Sequence, residues 1–176
     1  MAHQPIQKRN DDSQQTQAEV REREIIMTRV FDAPPELVWQ AWTDPKIVTQ
    51  WWGPAGFTTT TEVMDVRPGG TWIHTMQGPD GTKYPNKKVY KTVKKPSLLT
   101  YSHGGTADDG KDQLSFDVTV NFDAVGDKTK VTMKMAMPSA EQLQHVIKTY
   151  GAVEGGKQTM ARLAEQLRKM SAQKRR

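Results

Sequence analysis

The sequence predicts an α+β domain built from one strand, two short helices, six antiparallel strands and a long C-terminal helix. Three observations carry this. From Phe57 to Met137 apolar side chains recur at every second position in short successive runs, the period of strands with one buried face. On either side the period lengthens: Leu37, Val38, Ala41 and Trp42 before that stretch, and Leu143, Val146, Ile147 and Tyr150 after it, recur at helical spacing. The length of 176 residues suits one domain with one core, since single domains run to about 100–200 residues.

In "REIIMTRVFDAP" the side chains of Ile25, Met27 and Phe31 fall on one side of a first strand that ends at Ala33, with Ile26, Thr28 and Val30 on the other. Pro34-Pro35 suits a first helical turn and opens the first short helix. Asp44 before Pro45 caps a second, from Pro45 to Trp51, and Gly53-Pro54 stops it. Strands follow in "FTTTTEVMDV", then in "TWIHTMQ", where Trp72, His74 and Met76 share a face, then in "KKVYKTVKK" and "SLLTYSH". After a flexible loop, "GGTADDGKD", the run "LSFDVTVNF" turns Leu114, Phe116, Val118, Val120 and Phe122 inward, and "KVTMKMAM" does the same with Val131, Met133, Met135 and Met137; the two form a hairpin. Ser139 with Gln142 makes a capping box for the last helix. Its second apolar stripe (Met160, Leu163, Ala164, Leu167) is rotated from the first, and the change falls around Gly151, Gly155 and Gly156. Glycines there predict a bend, a close backbone approach, or room left for something else.

The net charge of +5 resides in the tail, where Arg168, Lys169, Lys174, Arg175 and Arg176 follow the last acid, Glu165; the rest of the chain is formally neutral. A basic tail is not a phosphate-binding face, so no nucleic-acid partner is expected. Six lysines (Lys83, Lys87, Lys88, Lys91, Lys94, Lys95) cluster in the body and read first as solvated strand charges that oppose aggregation, with an anionic docking patch as the alternative. With no cysteine, no signal-peptide core and no apolar run long enough to span a bilayer, a cytoplasmic protein without a membrane partner is expected. Residues 1–20 are too polar to offset chain entropy and are expected to be disordered; residues 21–171 form the domain, and 172–176 a basic tail.

"RVFDAPPELVWQAWTDPKIVTQWWGPAGFTT", "DVRPGGTWIHTMQGPDG" and "GAVEGGKQTMARLAEQL" closely resemble the family of activator of heat-shock-protein-90 ATPase homologue-like domains, within the START-like (SRPBCC, Bet v 1-like) superfamily. The resemblance covers about residues 23–170, and its most specific part is AP-x-x-x-VW, TDP, WWGP-x-GF and a later GG-x-W at these spacings. It implies a helix-grip fold: a curved sheet of about seven strands gripping the long helix, with a cavity between them that often holds an apolar ligand. Two departures stand out, Gly156-Lys157 where many relatives have Gly-Trp, and Lys91-Thr92 where many have Glu-Ile. A chaperone partner is implied by the family's name, although the roughly 20 residues ahead of the fold are too few for the second domain that such activators carry.

Four of the five tryptophans lie within residues 39–52. Trp39 and Trp42 have ordinary packing spacing, whereas adjacent Trp51 and Trp52 point about 100° apart on a helix, so either both cap the core or one faces a cavity mouth. His74, among apolar neighbours, is a hydrogen-bonded core residue or else a base or polar anchor. Glu154 and Lys157 form a solvated helical pair or project as an acid and a cation toward the pocket. The expected ligand-binding set is Trp51, Trp52, Phe57, Trp72, His74, Met76, Phe116, Val118, Met133, Met135, Glu154 and Lys157. The four histidines are scattered and no phosphate loop or G-x-S-x-G elbow occurs, so neither a metal nor a cofactor is expected. The first functional expectation is a module that holds a small hydrophobic molecule. A cyclase- or hydratase-like enzyme using the same cavity, or a chaperone-interacting module, are the alternatives, and a homodimer is open.

Overall fold

The computed structural model of the protein describes residues 15–105 and 115–174. Its elements run β1 (Gln17–Arg21), β2 (Glu24–Phe31), α1 (Pro35–Thr43), α2 (Pro45–Trp51), β3 (Thr58–Met64), β4 (Thr71–Gln77), β5 (Lys83–Lys94), β6 (Leu98–Gly105), β7 (Ser115–Val125), β8 (Lys128–Ala136), α3 (Ala140–Tyr150) and α4 (Ala152–Lys174). The strands make one curved antiparallel sheet in the order β1-β2-β8-β7-β6-β5-β4-β3. After β2 the chain crosses through α1 and α2 to the far edge and returns strand by strand, so that β8 closes against β2. Alternation sends Ile25, Met27 and Phe31 of β2, Val120 and Phe122 of β7, and Val131 and Met133 of β8 into one core.

Helix boundaries follow the local chemistry. The Asp44 side chain accepts a hydrogen bond from the Lys46 N–H at the start of α2, with Pro45 in the first turn. At α3 the Ser139 hydroxyl accepts from the Gln142 N–H. Gly151 then takes a left-handed conformation (φ 59°) and its N–H closes the helix on the Ile147 and Val146 carbonyls. The expected long helix is therefore two helices, because a left-handed C-cap turns the chain between them.

Gly155 and Gly156 have a different use. Both lie inside α4 without breaking it. A Cβ at Gly155 would meet the Pro54 ring at 3.3 Å, and one at Gly156 would fall on the Met27 sulfur and methyl. These glycines let α4 descend onto β2 and the loop after α2; Met27, fully buried, occupies the space beside Gly156. At this point the seam between helix and sheet is closed by a side chain, so of the three alternatives open for these two glycines the close backbone approach holds and the room left for something else does not.

The sheet has eight strands and not about seven, because β1, of which residues 17–20 fall in the segment expected to be disordered, pairs with β2. Only Ala18 of this edge strand packs on the core, while Val20 is exposed, so no alternation marks it. Of the basic tail, residues 172–174 continue α4. Residues 1–14, 106–114 and 175–176, which include most of the loop read as flexible, Leu114, Arg175 and Arg176, lie outside the described residues.

Candidate functional site

The register of the meander builds the site. Trp72 on β4 stands opposite Lys88 on β5, Lys88 opposite His103 on β6, and His103 opposite Phe116 on β7, so one row of side chains crosses four strands. His74, two residues beyond Trp72 on the same face, is the diagonal neighbour of Lys88. Five of the six clustered lysines are exposed, as expected for strand charges; Lys88 is the exception, 2 % exposed. The reading of Lys88 as a solvated charge is therefore wrong, and the reason is its parity: Asn86, Lys88 and Tyr90 alternate inward along β5.

Lys88 Nζ lies 2.6 Å from His74 Nε2. It also sits 4.5 Å from the Trp72 ring centroid, 4.7 Å from Trp52 and 5.9 Å from Tyr101. Among the described residues no carboxylate pairs with it. Burial alone pushes the amine well below the usual lysine range. Aromatic faces stabilise an ammonium by roughly 0.5–2 kcal/mol, against an effective desolvation penalty of several kcal/mol for an unpaired buried ion. On this balance burial disfavours the charged form.

His74 is 1 % exposed and stacks on Trp72 at 4.0 Å. Burial first, then the neighbouring Lys88 and His103, hold its ring neutral by driving its pKa far down. His103, half-buried and stacked on Phe116 at 4.5 Å, is lowered by burial and by Lys88. His74 Nδ1 is a buried polar atom with no hydrogen-bond partner. Leaving such an atom unsatisfied costs about 1–3 kcal/mol, and an unpaired buried lysine adds to that. An apolar core has no need of either.

Trp52 lies over this group. Its ring contacts Trp72 at 5.1 Å and His74 at 6.2 Å, and it is half-buried, like His103 and Phe116, so the cage meets solvent on that side. The WWGP break explains its position. Gly53, at φ 107°, turns the chain out of α2. Arg162 of α4 then donates to the carbonyls of Gly53 (2.9 Å), Pro54 (3.2 Å), Trp52 (3.3 Å) and Gln50 (3.3 Å), while Gln158 accepts from the Ala55 N–H. Trp51, by contrast, is fully buried and donates through Nε1 to the Ala41 carbonyl at 2.9 Å. Trp52, the extended C-cap of α2, leaves the helix direction: its ring packs on Trp51 at 5.3 Å and Trp42 at 6.1 Å on one side and lies over the cage on the other.

The other anticipated ligand residues are spread more widely. Val118 and Met133 are buried core residues, Met135 is half-buried on β8, Phe57 tilts against Tyr84, and Met76 sits beside Gly53. Glu154 is exposed and Lys157 half-buried on α4. A separate groove of about 240 Å³ between β2 and the end of α4 is lined by Arg29, Phe31, Leu167, Arg168 and Ser171 among others, and by none of the anticipated set. Sequence reasoning missed Lys88, Tyr101, His103 and Arg162.

A sheet that meanders back on itself and grips a C-terminal helix defines a helix-grip, START-like fold. The family model described as activator of Hsp90 ATPase homolog 1-like protein matches residues 32–168, and the chain belongs to that family. Protein Ms6760 from Mycobacterium smegmatis is similar in structure, with 27% identity and a TM-score of 0.76 over 85% of this chain and 93% of that one. A protein from Arthrobacter aurescens shows 25% identity and a TM-score of 0.82, covering 87% and 91% of the two chains. The AHSA1 protein from Silicibacter pomeroyi shares the fold at 21% identity and a TM-score of 0.69, covering 82% and 96%. A search of curated proteins gives no match. Among the described residues no helix is long and apolar enough to cross a membrane.

Proposed function

We propose that the domain binds a small aromatic or apolar molecule that carries one oxygen acceptor, with its hydrocarbon part against Trp52, Trp72 and Phe116 and its oxygen at the Lys88–His74 pair. The observation that carries this reading is the buried Lys88 amine, without a carboxylate partner among the described residues, beside an imidazole whose second nitrogen is unsatisfied there. Both groups destabilise the fold, and perturbed buried titratable groups concentrate at functional sites. A ligand oxygen supplies the missing hydrogen-bond partner, while burial of its rings contributes about 25 cal/mol per Å². The exposed large apolar side chains Val20, Val63, Tyr84, Val125 and Tyr150 sit on five separate elements, which favours an internal site over a chaperone-docking patch.

Tryptophan fluorescence tests this, because Trp52 and Trp72 form walls of the cage. Titration with 2-naphthol is expected to quench emission saturably. Lys88→Met is expected to weaken 2-naphthol about tenfold, the equivalent of one lost hydrogen bond, while leaving naphthalene within about twofold. Equal loss for both probes, or no saturable quenching, contradicts the reading.

A further inference from the structure

The geometry points to covalent chemistry: we propose that the Lys88 amine forms an imine with an aldehyde or ketone ligand, and that His74 relays the protons of the condensation. This rests on the ligand-binding reading above and narrows the oxygen acceptor to a carbonyl.

Three features support it. A lysine becomes a nucleophile when an apolar setting keeps it unprotonated, and Lys88 is walled by Trp52, Trp72 and Tyr101 with no carboxylate partner among the described residues. Its amine is already hydrogen-bonded to an imidazole, His74 Nε2 at 2.6 Å. The amine donates to Nε2, so the neutral ring carries its own proton on Nδ1, which has no partner among the described residues, and Nε2 stays a proton acceptor facing the amine. The titratable groups around the amine are His74, His103, Tyr90 and Tyr101. Burial holds both histidines neutral and both tyrosines protonated, so none supplies a counter-charge that would restore the ammonium.

The step balances within these groups. The Nζ lone pair attacks the carbonyl carbon and the C=O π pair moves to oxygen. The nitrogen gives a proton to His74 Nε2, which passes it to the adjacent oxygen, leaving a carbinolamine. Nε2 then takes the second proton from nitrogen and delivers it to the hydroxyl, which departs as water as the C–O bond breaks and C=N forms. One amine and one carbonyl yield one imine and one water, with no oxidant or reductant. Surface lysines, held as ammonium ions at neutral pH, lack the lone pair for the first bond.

The test uses the full chain with 2-naphthaldehyde and sodium cyanoborohydride at pH 7, read by intact mass and peptide mapping, with 2-naphthalenemethanol as an unreactive probe of binding. The expected result is a reduced adduct at Lys88 that forms at least about tenfold faster than at any exposed lysine, the factor that one unit of lowered pKa provides. Lys88→Met, its fold checked by circular dichroism, is expected to lose the fast adduct. His74→Gln at saturating aldehyde is expected to form it at least about tenfold more slowly, the lower range of lost acid–base assistance. If 2-naphthalenemethanol quenches tryptophan emission but Lys88 reacts no faster than exposed lysines, the imine is overturned and the binding reading survives. If neither naphthalene compound binds, both fall.

Discussion

On β2, β7 and β8 the inward face buries Met27, Phe31, Phe122, Val131 and Met133 beneath α1 and α4, whereas on β4, β5 and β6 the same face carries Trp72, His74, Lys88, Tyr101 and His103. Both regions belong to one sheet and share one alternation. In the first, each inward residue adds to the apolar area removed from water, so burial alone accounts for the choice of side chain. In the second, aromatic walls surround polar groups that the fold would be more stable without. The contrast separates residues that hold the domain together from residues whose presence packing does not explain.

Truncating a member of each region should move stability in opposite directions. The largest effect is expected in the dry region. Trp42 is fully buried and makes edge contacts with Trp51 at 5.0 Å and Phe122 at 5.5 Å, so Trp42→Ala should lower unfolding free energy by about 3–5 kcal/mol in urea titrations. At the boundary between the regions, Arg162→Met removes the donors that tie α4 to the loop carrying Trp52. A loss of about 2 kcal/mol is expected, with a change in tryptophan emission as Trp52 is released. In the cage, Lys88→Met replaces a desolvated amine by an apolar side chain of similar shape. It should raise stability by on the order of 1–3 kcal/mol; a loss of stability would erase the distinction between the two regions.

The smallest effect is in the pH dependence. His74 binds no proton in the folded state near neutrality, while in the unfolded chain it titrates near 6.5. The unfolded state therefore binds more protons below that pH, and stability should fall on acidification by up to about 1.4 kcal/mol per unit for this group. Urea midpoints of the protein and of His74→Phe, followed from pH 7 to 5, should diverge as the pH falls, the protein losing stability that the variant keeps, if the native ring is the penalty described.

Much of the fold was legible because its signals are local. Asp44-Pro45, Gly53-Pro54 and the Ser139–Gln142 box mark helix ends by chemistry confined to a few residues, and the alternation through Val118, Val120 and Phe122 identifies a half-buried strand without knowledge of its neighbours. What was lost needs a partner. β1 is held by backbone pairing to β2 and offers almost no apolar pattern. Gly155 and Gly156 are explained only by Pro54 and Met27 lying opposite them. Lys88 was hidden among five exposed lysines, and the clue was its even spacing from Tyr90; but cross-strand register, which sets it between Trp72 and His103, is not written in the run "KKVYK" itself. His74 and Trp52 were singled out from sequence, yet the group that joins them was not.

Both the proposed nucleophile and the stability contrast require Lys88 to be an uncharged amine in the folded protein. Its ε-carbon resonance, assigned by its disappearance in Lys88→Met and followed by NMR across a pH titration, tests this directly. A midpoint below neutral pH, well under the ordinary lysine value of about 10.4, is expected. A midpoint above about 7 would mean that the aromatic cage holds an ammonium ion at neutral pH, and would contradict both the nucleophile and the predicted gain in stability on its removal.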